Sequence, residues 1–424
     1  MPSALGKLWF EPRRSLLRSW MLQVHKWAGA GAGLYLAMMG LTGGLSVFLP
    51  ELRNTLVPPI HASVGQQRMT LQTLQTSIER SHPTFRFRAV YPGQSATRAD
   101  TFEEQSDDTT VHEIIVNPYT AQILIDRRKG ATLYDWVRNL HANLLSGKTG
   151  KAVNGSGAIL LLLTGLAGIV IWWPGRRHLK AKTFHVSARN GWHRLSFDLH
   201  RLVGVLATLP LSVAAITGVS LSLPRLAASV TSAMLGPGTE PLRAKGDEVA
   251  GQKVGVANTA VKSGRDQADG KNDAIRGNIA SLDDIVKVAK KQVPGATPTR
   301  IQSSVGKNSG YMVWMHLPSD WRDEGDNRVL IDGNSAMLLG VQVGRDRALS
   351  SRVIEGASAI HYGQFGGVPT RVFAALVGLT LPLLYITGMA LWWRRVSRQR
   401  PGAMVRAAPS VIPVGDDVYA FETQ

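Results

Sequence analysis

Histidine is where this sequence offers chemistry. His25 opens the run "HKWAGAGAGLYLAMMGLTGG", and His200 opens "HRLVG" with "TGV" at the same separation. The two copies pair His25 with His200, Gly29 with Gly204, Thr42 with Thr217 and Gly43 with Gly218. Two more histidines precede apolar runs, His141 in "NLHANLLSGKTG" and His361 in "AIHYGQFGGVPT". The runs that follow them share "LLLTGLAGIVIWWPGRR" and "LLYITGMALWWRR", although Thr-Gly and Trp-Trp stand three residues further apart in the first. An ionisable group at membrane depth is costly and points to function. Neutral imidazole is a good metal ligand, and an iron porphyrin takes one or two such axial ligands.

The repeat and the side of the membrane sort these histidines into two pairs, His25 with His200 and His141 with His361. Zinc or copper is the other use of histidine, but a zinc site wants three or four converging ligands. Here the histidines divide between two membrane faces, and no HExxH or His-rich tract occurs. His193 lies seven residues before His200, roughly 10 Å along the same helical face. It could ligate a further haem, replace His200 or donate a hydrogen bond. Lys26, Arg194, Arg201 and Arg371 stand beside the histidines and could pair with haem propionates, although membrane interfaces are enriched in basic residues anyway. His61, His82 and His112 read as surface residues of an external unit.

Four stretches must position these side chains. Residues 27–50, 152–173, 202–224 and 372–393 contain no Asp, Glu, Lys or Arg, and each is 22 to 24 residues long. A hydrocarbon core of about 30 Å needs ~20 apolar residues of helix, so all four can span a membrane. The glycines of "GAGAG" fit close helix packing, since no strand or turn surrounds them as a dinucleotide loop requires. The first run is expected to stay as an anchor, because "SVFLPELRN" offers no small-x-small cleavage site.

The chain carries a net charge of +18, but unevenly. Residues 1–26, 174–201 and 394–410 hold 15 of those 18 charges, whereas 51–140 hold ten basic and ten acidic residues. This alternation reports topology and not a nucleic-acid partner. Both termini and the 174–201 loop are expected in the cytoplasm, and the two long loops outside. With no cysteine, thiolate metal sites, iron–sulfur clusters and covalently attached haem are excluded.

The first long loop reads as a helix, "TLQTLQTSIERSHP", then strands in "FRFRAVYPG", "RADTFEEQ" and "TVHEIIVNPYTAQILIDRR". The second repeats that order with "SLDDIVKVAKKQVPG", "TRIQSSV", "GYMVWMHLP" and "NRVLIDGNSAMLLGVQV". The expected fold is a mainly α membrane protein, with four transmembrane helices and two external α+β units, built as a tandem duplication. The expected division is 1–24 cytoplasmic segment, 25–50 first span, 51–140 first unit and 141–174 second span with its His segment. A cytoplasmic loop follows at 175–192, a third span at 193–224, and a second unit at 225–360 with a flexible insertion at 236–276. The fourth span with its His segment is 361–394, and 395–424 is a cytoplasmic tail.

"HKWAGAGAGL", "LHANLLSGKTG", "TGLAGIVIWWPGRR", "WHRLSFDLHRLVG" and "YITGMALWWRR", in this order, resemble the PepSY-associated transmembrane-helix family of iron-regulated membrane proteins. The resemblance covers about residues 15–400 and makes the two external units PepSY-like. It implies two b-type haems, ligated by His25, His141, His200 and His361, in a bacterial inner-membrane reductase that releases iron from a periplasmic ferric siderophore. The hypothesis is a relay: a cytoplasmic-side donor, quinol or a flavoprotein, passes electrons through the two centres to the ferric chelate. The rival is a haem-free PepSY protein that binds or regulates an envelope protease or partner. A transporter ranks behind both, since the spans lack an internal carboxylate and only Pro210 and Pro382 interrupt their pattern.

Overall fold

The computed structural model describes residues 16–56, 65, 67–174, 185–187, 189, 191–240, 242, 280–303 and 310–399. Most of the expected insertion at 236–276, the tail from 400 and His61 lie outside these residues. In chain order the first half runs α1 (Leu16–Leu56), α2 (Leu71–Ser81), β1 (Arg86–Tyr91), β2 (Asp100–Gln105), β3 (Val111–Val116), β4 (Ile123–Arg128), α3 (Leu133–Asn143) and α4 (Gly147–Trp172). The second half runs α5 (Trp192–Ser222), α6 (Pro224–Leu235), α7 (Leu282–Gln292), β5 (Thr297–Ser303), β6 (Gly310–His316), β7 (Asn327–Asp332), β8 (Leu338–Gln342), α8 (Leu349–His361) and α9 (Gly367–Gln399). Apart from α6, the two halves present the same order of elements.

Helices α1, α4, α5 and α9 are long and apolar enough to cross a membrane. They form a ring in which α1 packs on α9 and α4, and α5 packs on α4 and α9. Leu34, Leu163, Leu206, Leu209, Phe373, Leu376 and Ile386 are exposed on the bundle's outside. So much bare apolar surface belongs against lipid. Inside the ring, small residues let backbones approach: a Cβ on Gly378 would lie 2.6 Å from the Gly40 carbonyl oxygen. Helix α1 begins at Leu16, well before the expected start at residue 25, and so brings Arg18 into the bundle. Arg18 Nε and Nη2 donate to the Ile171 carbonyl at 3.1 and 3.0 Å, satisfying a carbonyl in the last turn of α4. Pro210 and Pro382 lie inside helices that continue past them.

At one end of the bundle the two expected α+β units are a single antiparallel sheet, ordered β4-β3-β2-β1-β5-β6-β7-β8. The junction pairs Ala89 with Gln302 and Val90 with Ile301. Each half would otherwise end at β1 or β5 with a row of unpaired backbone groups, and pairing them removes both edges. One face buries Phe102, Ile114, Ile301, Val313, Val329 and Ile331 beneath α2 and α7. The two helices also cap each other. Asp283 accepts from Leu71 N at 3.1 Å and Gln72 N at 3.0 Å, and Gln72 Oε1 accepts from Leu282 N at 3.1 Å. His82 and His112 are not plain surface residues, since both face Asp126, at 3.1 and 2.8 Å.

Helix α6 has no counterpart in the first half. Its Leu226, Val230 and Met234 form an exposed stripe at i, i+4, i+8, directly after a span. An apolar stripe so placed suits a helix lying in the membrane interface.

Glu104 shares the face of Phe102, two residues away on β2, and points into the core beneath α2, where it is 1% exposed. Burial pushes its carboxyl up to about 8, aided by the charge of Glu79 and opposed by the amide of Gln75. Between the ordinary carboxyl range and about pH 8 the folded chain keeps a proton that the unfolded chain has released. Stability therefore falls as pH rises through that window. Relative to Glu104→Gln, we expect the wild-type protein to lose on the order of 3 kcal/mol between pH 5 and 8. Glu104→Gln should remove this component of the pH dependence, and equal slopes in thermal unfolding of both proteins would contradict the assignment.

Candidate functional site

Each of the four histidines is positioned by a helix and held by a different one. His25 sits in the third turn of α1, just before its uncharged run, and its Nδ1 lies 3.0 Å from the Thr164 carbonyl of α4. His200, near the start of α5, places Nδ1 3.1 Å from the Leu384 carbonyl and 3.0 Å from Thr387 Oγ1, both on α9. These two rings meet edge to face with centroids 6.1 Å apart. They form a pair at the end of the bundle remote from the sheet.

The second pair is at the sheet end. His141 lies in the last turn of α3, and Nδ1 is 3.1 Å from the Met39 carbonyl and 3.3 Å from Thr42 Oγ1 of α1. His361 closes α8, with Nδ1 2.9 Å from Thr217 Oγ1 of α5 and bonded to the Ala214 carbonyl. Their centroids are also 6.1 Å apart. The unequal segments after the two histidines are resolved by the breaks that follow: left-handed Leu144 and Leu145 in one half, Gly363 in the other. Seventeen residues separate His25 from Thr42 and His200 from Thr217. The two pairs are thus about 26 Å apart along the helices.

A backbone carbonyl can only accept, so each Nδ1 must carry the proton. Nε2 of each ring is left with its lone pair, the form in which imidazole binds a metal. Every ring also lies against a glycine of the helix that holds it. A Cβ on Gly43 would stand 2.7 Å from His141 Cε1, on Gly388 3.1 Å from His200 Cε1, on Gly168 3.3 Å from His25 Cε1 and on Gly218 3.5 Å from His361 Cε1.

These contacts revise the alignment of the second and fourth spans. Thr164-Gly165 is not the structural counterpart of Thr387-Gly388. Gly168 takes the place of Gly388 and Ala167 that of Thr387, and the carbonyl three residues earlier is the acceptor in each case, Thr164 or Leu384. In that register Trp-Trp follows at the same distance in both helices, so the three-residue discrepancy disappears. Fixing the register by Trp-Trp instead of Thr-Gly would have found Gly168 in the sequence.

The remaining candidates lie elsewhere. His193 lines an open cavity of about 400 Å³ with Gly191, Arg194, Phe197, Leu391 and Arg394. Arg194 and Arg201 hold the fully buried Asp198 at 2.9 and 3.1 Å, and Arg201 also donates to the His185 carbonyl. Lys26 lies 5.0 Å from the centre of the Trp27 ring. Arg371 donates to the Val47 carbonyl and stacks over Phe48.

A family model described as "PepSY-associated TM region" matches residues 22–395, a stretch that includes both imidazole pairs and the whole sheet. The chain belongs to that family. No curated protein matches it significantly. Among the described residues, no three His, Cys, Asp or Glu side chains converge as a metal site. In this PepSY-associated TM protein the imidazoles therefore meet strictly two by two.

The glycine cradle is testable without reference to any ligand. Gly43→Ala drives a methyl into His141 and should destabilise the protein by about 1–3 kcal/mol. Gly29→Ala, with nothing within 4 Å, should be neutral or stabilising by up to about 1 kcal/mol. Thermal unfolding in detergent separates the two, and equal effects would show that the cradle does not hold the ring.

Proposed function

We propose that this chain is a haem-bearing electron-transfer protein of a bacterial inner membrane, acting as a reductase of ferric siderophores. The observation that carries this reading is the repeated imidazole pair at 6.1 Å with both Nδ1 atoms already engaged. Two metal–nitrogen bonds of about 2 Å, with about 1 Å from each nitrogen to its ring centre, put two imidazoles on one metal about 6 Å apart. Two ligands leave a bare tetrahedral ion short, but they complete an iron that brings four porphyrin nitrogens of its own. With no cysteine in the chain, the haem would be held non-covalently, as b-type.

His25 and His200 would hold one haem, and His141 and His361 the other. Bound there, haem supplies reversible one-electron chemistry at each end of the bundle. The chain's own part is to fix the tautomer of each ligand, to orient the rings through neighbouring helices and to keep water out with apolar walls. The basic end of the bundle faces the cytoplasm in this reading, and the sheet, built from two PepSY-like units of a duplicated chain, faces the periplasm. Iron leaves a hard-oxygen chelate more readily as Fe(II), which makes a ferric siderophore at the sheet end a fitting acceptor. No flavin or nicotinamide motif is present, so a quinol or a separate flavoprotein is the fitting donor on the other side.

The test is haem stoichiometry on protein purified from haem-replete cells. We expect two haems per chain, a Soret band and a dithionite-induced α band of b type. His25→Ala or His200→Ala should lose one haem, and His141→Ala or His361→Ala the other. A colourless preparation would overturn the reading in favour of a haem-free binding or regulatory protein.

A further inference from the structure

Four positions stand in the same relation to the four imidazoles, and one differs in residue type. Thr42, Thr217 and Thr387 are buried beside His141, His361 and His200. In each, Oγ1 donates to its own helix carbonyl four residues back: Met38 at 2.8 Å, Val213 at 2.8 Å and Leu383 at 2.7 Å. With its proton so committed, the hydroxyl can only accept from the imidazole N–H. Each of these three rings thus has two acceptors at Nδ1, a carbonyl and a hydroxyl. The equivalent position opposite His25 is Ala167, 1% exposed, and the one acceptor recorded for His25 Nδ1 among the described residues is the Thr164 carbonyl.

We infer that Thr42, Thr217 and Thr387 are positioning residues that tune the redox balance of the two centres, and that Ala167 biases the centres apart. The inference rests on the haem reading above. An Nδ1–H shared between two acceptors gives its ring more imidazolate character, so Nε2 donates more strongly and favours ferric over ferrous iron. His141 and His361 both have this support. The His25/His200 pair has it on one side only, so its centre is held easier to reduce than a threonine at 167 would make it.

Redox titration of the purified full chain, following the Soret and α bands, tests this. Thr387→Val keeps the shape and removes the acceptor. It should raise the reduced fraction of the remote centre about fivefold at a fixed ambient potential. Ala167→Ser, small enough for the buried site, should lower the reduced fraction of the same centre by a similar factor. Thr42→Val and Thr217→Val should act upward on the sheet-end centre alone. Opposite signs for Thr387→Val and Ala167→Ser support the inference, since packing damage would move both variants the same way. Normal haem content with unmoved or same-signed midpoints overturns it while leaving the haem reading intact. A wild-type protein without a Soret band overturns both.

Discussion

One hydrogen bond, from an imidazole Nδ1 to a backbone carbonyl of a neighbouring helix, organises the whole bundle. It occurs four times, and each time it ties a different pair of elements: α1 to α4, α3 to α1, α5 to α9 and α8 to α5. In hydrocarbon a ring N–H has no water to fall back on, so a helix carbonyl is the partner at hand. That bond requires the helices to come close, and the glycine beside each acceptor provides the approach. The ring, its acceptor and its glycine therefore form one unit. Packing and ring orientation cannot be altered separately at any of the four.

The sheet performs a related task at one end. Joining β1 to β5 makes the two halves share a single rigid element, and the reciprocal capping between Asp283, Gln72 and the two helix starts fixes their relative placement. Helices α3 and α8 leave opposite edges of that sheet and carry His141 and His361 inward. A ring pair whose members come from different halves depends on such a tie, because nothing in either half alone would set the distance between them.

Much of this was legible in the sequence. The equal offsets from His25 to Thr42 and from His200 to Thr217 placed one imidazole of each half at a common depth, and the uncharged runs located the spans. The order of strands followed from apolar alternation. Other features depend on tertiary pairing and left no local trace. The continuous sheet arises because two edges meet, and neither β1 nor β5 signals in its own residues which edge it will cover. Helix α6 is short and follows directly on α5, so no turn or loop signal sets it apart from the long segment that begins there. The seat of His25 on α4 is hidden in the sequence because Thr164-Gly165 mimics the motif that Ala167-Gly168 fulfils in space.

The tryptophan doublets set the depth of the remote pair. Gly168 and Gly388 each stand four residues before a Trp-Trp doublet, Trp172-Trp173 and Trp392-Trp393. Tryptophan prefers the boundary between hydrocarbon and headgroups, so each doublet anchors its helix end at the interface. Four residues of helix then place both cradles about 6 Å inside that boundary. Two rings can meet across the bundle only if their supporting helices are level, and the anchored tryptophans make them level whatever lies further along the span. Extra residues between Thr-Gly and Trp-Trp would shift the Thr-Gly motif, whereas the seat of the imidazole stays where the interface holds it.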